Sequence, residues 1–213
     1  MIKLFIADDH TIVREGLKQI VADTPDIIVA DEASSGHEVL GKVSKMCEND
    51  YSVIVLDIAM PGINGLDVLK QIRSQRPGLP VLILSMHPEE QYAVRALRAG
   101  ASGYLTKESA SDELIEAIRK ISAGRKYVTS SLAEKLALEL KIDAEKPIHD
   151  FLSDREYQVM CMIASGKTIK EIADQLFLSV KTISTYRYRI LEKMNMKNNA
   201  ELMHYVIKRG LAE

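Results

Sequence analysis

Two apolar runs without polar alternation, Val53-Ile54-Val55-Leu56 and Val81-Leu82-Ile83-Leu84, constrain the fold of this chain more than any other feature. A strand with one face in water alternates apolar and polar side chains, so runs like these describe strands covered on both faces. Such strands belong to parallel sheets enclosed by helices, and the flanking sequence supplies both kinds of element. Ile2–Ala7, Ile27–Ala33, Ser52–Leu56, Val81–Ser85 and Ser102–Thr106 are the strand candidates. Between and after them come stretches of helical period: Val13, Leu17, Ile20 and Val21 share a face, as do Ala93, Ala96, Leu97 and Gly100, and Leu114, Ala117, Ile118 and Ile121. Five β-α units in series predict an α/β domain with a doubly wound five-stranded parallel sheet over residues 1–123.

The alternation stops there. Residues 124–150 are expected to form a helix, Ser131–Leu140, and a polar linker marked by Pro147. Residues 151–213 predict a small all-α domain of four helices. Ser153-Asp154-Arg155-Glu156 has the form of a capping box opening the first. Ile169, Ile172, Ala173 and Leu176 mark the second, Ser179 caps a third that runs to about Met194, and a fourth covers Ala200–Arg209 before Gly210.

Charge divides along the same line. Residues 151–213 hold ten Lys/Arg against seven Asp/Glu, a formal +3, and the remainder holds 18 against 23, a formal −5. An acidic, cation-tolerant module joined to one able to approach a polyanion fits that split. No apolar run is long enough for a membrane span, the N-terminus shows no signal peptide, and the two cysteines, Cys47 and Cys161, read as reduced core thiols of a cytoplasmic protein.

Placed on the sheet, several polar residues converge. Asp8 and Asp9 follow the first strand, Asp57 ends the third, Ser85 ends the fourth, and Lys107 follows the fifth. Ligands of open α/β sheets bind at the carboxyl ends of the strands. Taken singly, each residue has a structural reading as a cap, a turn residue or a solvated charge. Together, three carboxylates at one edge would repel one another without a cation, and hard oxygen ligands suit Mg2+. A lysine beside them offers a point charge for a phosphoryl group, and a strand-end carboxylate next to both is a plausible phosphoryl acceptor.

These residues carry a family resemblance. Asp8-Asp9-His10, Asp57 through Gly62, Ser85 and Tyr104-Leu105-Thr106-Lys107 resemble the receiver domain of two-component response regulators. Residues 151–213 resemble the helix-turn-helix output domain of the NarL/FixJ (LuxR-type) members. The output likeness rests on Leu152 through Glu156, Ala164 through Gly166, Lys170 through Ala173, Leu176 through Ser179, Lys181 through Tyr186, and Ile190 through Met194. The resemblance implies a flavodoxin-like strand order of 2-1-3-4-5 and Asp57 as phosphoacceptor. Asp8, Asp9, Asp57 and the backbone carbonyl of Ala59 would bind Mg2+, Ser85 would sense the phosphoryl group, Tyr104 would be the switch, and Lys107 would pair with phosphoryl oxygens. It departs at Ser184 and Tyr186, where many members carry Lys and His, so it implies no particular operator.

In the third output helix, Ile183, Ile190, Leu191 and Met194 form the buried seam. Ser184, Thr185 and Tyr188 are then expected to read bases of double-stranded DNA, and Lys181, Thr182, Arg187 and Lys193 to hold phosphates. Expected partners are a sensor histidine kinase, a second copy of the chain once phosphorylated, and RNA polymerase, with no membrane. Two other classes compete. An aspartyl-phosphate phosphatase needs a second carboxylate two residues after its nucleophile, where this chain has Ala59, so no enzyme is expected. A helical domain that binds protein instead of DNA would lack salt-dependent retention on DNA.

Overall fold

Every residue of Val53–Leu56 and of Val81–Ser85 is buried, as unalternated runs require. The computed structural model describes residues 1–213 except 48–49, 135–146 and 212–213. The chain divides into two compact units, Met1–Leu136 and Ala137–Glu213.

The first unit alternates β1 (Ile2–Ala7), α1 (Thr11–Ala22), β2 (Ile27–Ala33), α2 (Gly36–Lys45), β3 (Val53–Leu56), α3 (Gly65–Gln75), β4 (Val81–Ser85), α4 (Glu89–Arg98), β5 (Gly103–Thr106) and α5 (Ala110–Ser122). All strands are parallel, in the order β2-β1-β3-β4-β5. The strand periodicity of two sorts the core. Leu4, Ile6, Val53, Val55, Leu82, Leu84 and Leu105 pack with Leu17, Val21, Leu114, Ala117, Ile118 and Ile121 of α1 and α5. The alternate residues Phe5, Ile54, Leu56 and Ile83 are equally buried on the opposite face. β3 and β5 each start one residue later than expected, although the Ser52 and Ser102 amides still donate to Lys3 and Val81 carbonyls.

Cys47 departs from its expected place. It lies exposed beyond the end of α2, whereas Cys161 is buried; both are free thiols. Packing of the first unit also continues past residue 123. The Tyr127 amide donates to the Ser102 carbonyl, and its ring joins the core beside α5. A helical turn covers residues 130–134. The rest of the helix expected through Leu140, and residues 141–146 of the linker, lie outside the described residues.

The second unit opens with a 3-10 turn, Ile148–Phe151, followed by α6 (Asp154–Ala164), α7 (Ile169–Gln175), α8 (Val180–Lys193) and α9 (Asn199–Lys208). Ser153 and Glu156 form the expected capping box, and Thr168 and Glu171 form a second one that the sequence reading did not name. Tyr157, Met160, Ile172, Ala173, Ile183, Ile190, Leu202 and Val206 make the small core that locks the four helices. No helix among the described residues is long and apolar enough to cross a membrane.

Candidate functional site

The ladder of the parallel sheet runs one residue beyond the strands and so sets the site. The Asp57 amide donates to the Ala7 carbonyl at 2.9 Å, the Lys107 amide to that of Ser85 at 2.8 Å, and the Asp8 amide to that of Ala33 at 3.1 Å. Residues 8, 57 and 107, from three separate βα connections, are thereby held at one sheet edge. Asp8 and Asp57 are each only 1% exposed. Lys107 reaches between them, its Nζ 2.6 Å from Asp8 Oδ2 and 2.7 Å from Asp57 Oδ2.

The electrostatics are those of a cation site. Burial pushes the Asp57 carboxyl above the usual carboxylate range; Lys107 pulls it back and Asp8 pushes it further. Burial works against the Lys107 ammonium, but Asp57 and Asp8 outweigh it and hold its pKa above the ordinary lysine value. Asp8 Oδ2 and Asp9 Oδ1 are buried, and among the described residues they are met only by the Lys107 ammonium and the His10 imidazole. Such oxygens fit a hard divalent ion that brings its own waters. Ligand atoms of Asp8, Asp9, His10 and Asp57 lie within 4.8 Å of one another. His10 is an addition to the expected set: its Nδ1 is 3.0 Å from Asp9 Oδ1 and 3.3 Å from Asp8 Oδ1. The Ala59 amide donates to Asp57 Oδ1 at 3.1 Å, which fixes the backbone beside the carboxylate.

Ser85 and Tyr104 meet at a residue the sequence reading did not name. Ser85 is fully buried and its Oγ accepts from the His87 amide at 3.1 Å; the Tyr104 hydroxyl donates to the His87 carbonyl at 2.8 Å. Both backbone polar groups of His87 are thus tied to the two switch candidates. The bonds are to backbone, so the identity of residue 87 gave no signal. The Tyr104 ring is fully buried.

Gly65 was also missed. A Cβ there would lie 2.2 Å from the Asp57 carbonyl oxygen and 2.7 Å from Ile58 Cα. The first residue of α3 therefore packs directly on the backbone that carries Asp57. A glycine inside a helical pattern, costly by propensity, was the available signal.

In the second unit, α8 divides as its period requires. Ile183 and Ile190 are buried; Lys181, Ser184, Thr185 and Tyr188 are exposed on the opposite side. The Ser184 and Thr185 hydroxyls donate to the Val180 and Lys181 carbonyls at 2.8 and 2.9 Å, so what they offer outward is acceptor lone pairs and the Thr185 methyl. Thr182 is half-buried, with its Oγ1 2.8 Å from the Ser179 hydroxyl of the N-cap. Arg187 is half-buried and bonds Asn199 Oδ1 at 2.7 Å. Lys193 is paired with the buried Glu156 at 2.6 Å. Arg189 was overlooked; it is exposed four residues beyond Thr185 and makes no ion pair among the described residues.

Comparison with known proteins agrees with both halves. A family described as "Response regulator receiver domain" matches residues 4–119, and one described as "Bacterial regulatory proteins, luxR family" matches residues 150–206. The chain is 38% identical over 214 residues to the response regulator UvrY of Escherichia coli K12, covering 99% of this chain and 96% of that protein. It is 35% identical to the response regulator GacA of Pseudomonas aeruginosa, covering 100% and 99%. Among solved structures it is similar to RcsB of Salmonella enterica serovar Typhimurium bound to the promoter P1flhDC in the presence of the phosphomimetic BeF3−. That match has 26% identity and a TM-score of 0.59, covering 96% of this chain and 97% of that one.

Proposed function

The chain belongs to the response regulators that join a receiver domain to a LuxR-family DNA-binding domain, and we propose that phosphorylation of Asp57 by a partner histidine kinase governs its dimerisation and its sequence-specific binding to double-stranded DNA. Its role is regulation of transcription, not catalysis on a metabolite. The observation that carries the reading is the buried Lys107 ammonium bridging Asp8 and Asp57 at the sheet edge.

Asp8, Asp9, Asp57 and the Ala59 carbonyl would hold Mg2+, which supplies the charge that offsets repulsion between the acidic cluster and an incoming phosphoryl group. An Asp57 carboxylate oxygen attacks phosphorus, the bond to the kinase imidazole breaks, and the acyl phosphate is left facing Lys107. Lys107 exchanges its carboxylate contacts for a phosphoryl oxygen, and the Ser85 hydroxyl donates to another. In doing so Ser85 re-aims the lone pair that now accepts from the His87 amide. Tyr104, bonded to the carbonyl of the same residue, transmits the change to the face formed by α4 and β5.

The receiver role is assigned to 1–123, the connection to 124–150 and the output role to 151–213. On DNA, Ser184, Thr185 and Tyr188 face base edges in the major groove, and Lys181, Thr182 and Arg189 lie toward phosphates, while Arg187 and Lys193, also expected there, are engaged by Asn199 and Glu156. Two copies reading a two-fold site gain avidity over one, with α9 as the natural contact of the output domains. A cytoplasmic location and contact with RNA polymerase follow from this reading.

Incubating the chain with acetyl phosphate and Mg2+ and following intact mass tests the assignment. The wild-type chain gains one phosphoryl group, whereas Asp57→Ala, or wild type with EDTA, gains none. An equal gain in Asp57→Ala overturns it.

A further inference from the structure

At the end of the strands opposite Asp57, two cations gather on a short stretch of backbone and a third lines the cleft beside them. Arg73 Nε donates to the Gly100 carbonyl at 2.7 Å, its Nη1 to the Pro77 carbonyl at 2.7 Å and its Nη2 to Ser102 Oγ at 3.1 Å, while Lys126 Nζ donates to the Ala101 carbonyl at 2.6 Å. Residues 100, 101 and 102 thus receive two cationic side chains side by side. Both line a cleft of about 340 Å³ together with Arg125, Ser102, Gly124, Pro77 and other residues, and no carboxylate lines it among the described residues. Arg73, Arg125 and Lys126 make no ion pair among the described residues.

Carbonyls just past the C-terminus of α4 explain why one cation should lie here. They do not explain three. Two positive groups held on neighbouring carbonyls repel each other in a part-buried place, and Lys126 is held below the ordinary lysine value by burial and by Arg73. The bonds to neutral oxygens leave further N–H donors on Arg73 and Lys126, and the Arg125 guanidinium has no side-chain partner among the described residues.

We propose that this cleft is a binding site for a small multivalent oxyanion of the phosphate or pyrophosphate class, held by Arg73, Arg125 and Lys126 with the Ser102 hydroxyl. The site is separate from the phosphoacceptor pocket, being at the other end of the strands, and does not depend on it. An anion relieves the repulsion among the three cations and meets forked donors suited to phosphate geometry.

Titrating the full-length chain with sodium pyrophosphate without Mg2+, and following backbone amide NMR shifts in physiological salt, tests this. Saturable shifts are expected at Gly100, Ser102 and Gly124, with a Kd of about 1 mM or tighter, and not at Asp8, Asp57 or Ala59. Acetate, singly charged, should not reproduce them. R125A/K126A, both exposed positions, should weaken binding about tenfold or more, and R125A alone guards against a folding defect in the pair. Absence of saturable shifts at the cleft, shifts confined to the phosphoacceptor pocket, or unchanged affinity in both variants would overturn the proposal.

Discussion

Gly65→Ala should disable Asp57 without touching a charged group. The added Cβ would be 2.2 Å from the Asp57 carbonyl oxygen, where ordinary contact begins at 3.4 Å, and the obstacle is backbone that cannot rotate aside. Relief needs a displacement of about 1 Å between the start of α3 and the Asp57–Ile58 peptide. That movement also strains the hydrogen bond from the Gly65 amide to the Ile58 carbonyl, 3.0 Å long. Overpacking of this kind costs about 1–3 kcal/mol, and a misplacement of about 1 Å in a reacting group costs on the order of 100-fold in rate. Initial rates of phosphorylation by acetyl phosphate should therefore fall by about 100-fold, and melting of the receiver should drop by about 5 °C or more. Phosphorylation and melting both at wild-type values would refute the reasoning, because the two consequences share one steric cause.

Lys193→Ala should destabilise the output unit by about 1–2 kcal/mol in thermal melts, since it strands the buried Glu156 carboxylate while Lys193 itself remains partly in water. Burial raises the Glu156 pKa, but Lys193 and the Ser153 bonds outweigh it and leave it below 4.5. A folded-state pKa below the unfolded one gives stability that is complete above about pH 4.5 and lost as pH falls through the folded value, so melts of wild type and Lys193→Ala should converge at low pH. Arg189→Ala, by contrast, should keep the melting temperature and lower the salt slope of DNA binding by about one unit. Thr185→Ala should cost roughly 1–3 kcal/mol on a preferred site and relax preference at one base pair, read from affinities across single-base variants. Ser85→Ala should still accept a phosphoryl group yet lose most of the phosphorylation-dependent change in DNA affinity; wild-type coupling in that variant would count against the Ser85–His87–Tyr104 route.

What could be read from the sequence, and what could not, follows from which atoms do the work. Val53–Leu56 and Val81–Ser85 announced strands covered on both faces, and Asp8, Asp57 and Lys107 were visible because side-chain chemistry at strand ends is written in residue types. The His87 junction was not, because Ser85 and Tyr104 bond its amide and carbonyl, which every residue but proline offers alike. Gly65 needed the distance between α3 and β3, a tertiary quantity. On α8 the buried seam followed from period alone, yet Arg187 and Lys193 turned toward Asn199 and Glu156, partners on other helices whose positions no local pattern gives. Cys47 was misplaced for a simpler reason: α2 ends at Lys45, two residues before it.

The central claim is that the state of Asp57 sets occupancy of DNA by the output domain. Genome-wide mapping of DNA binding by the wild-type chain and by Asp57→Ala, expressed at equal levels, tests it most directly. The account predicts a discrete set of sites whose occupancy by wild type collapses in Asp57→Ala; the same sites at the same occupancy in both would contradict it.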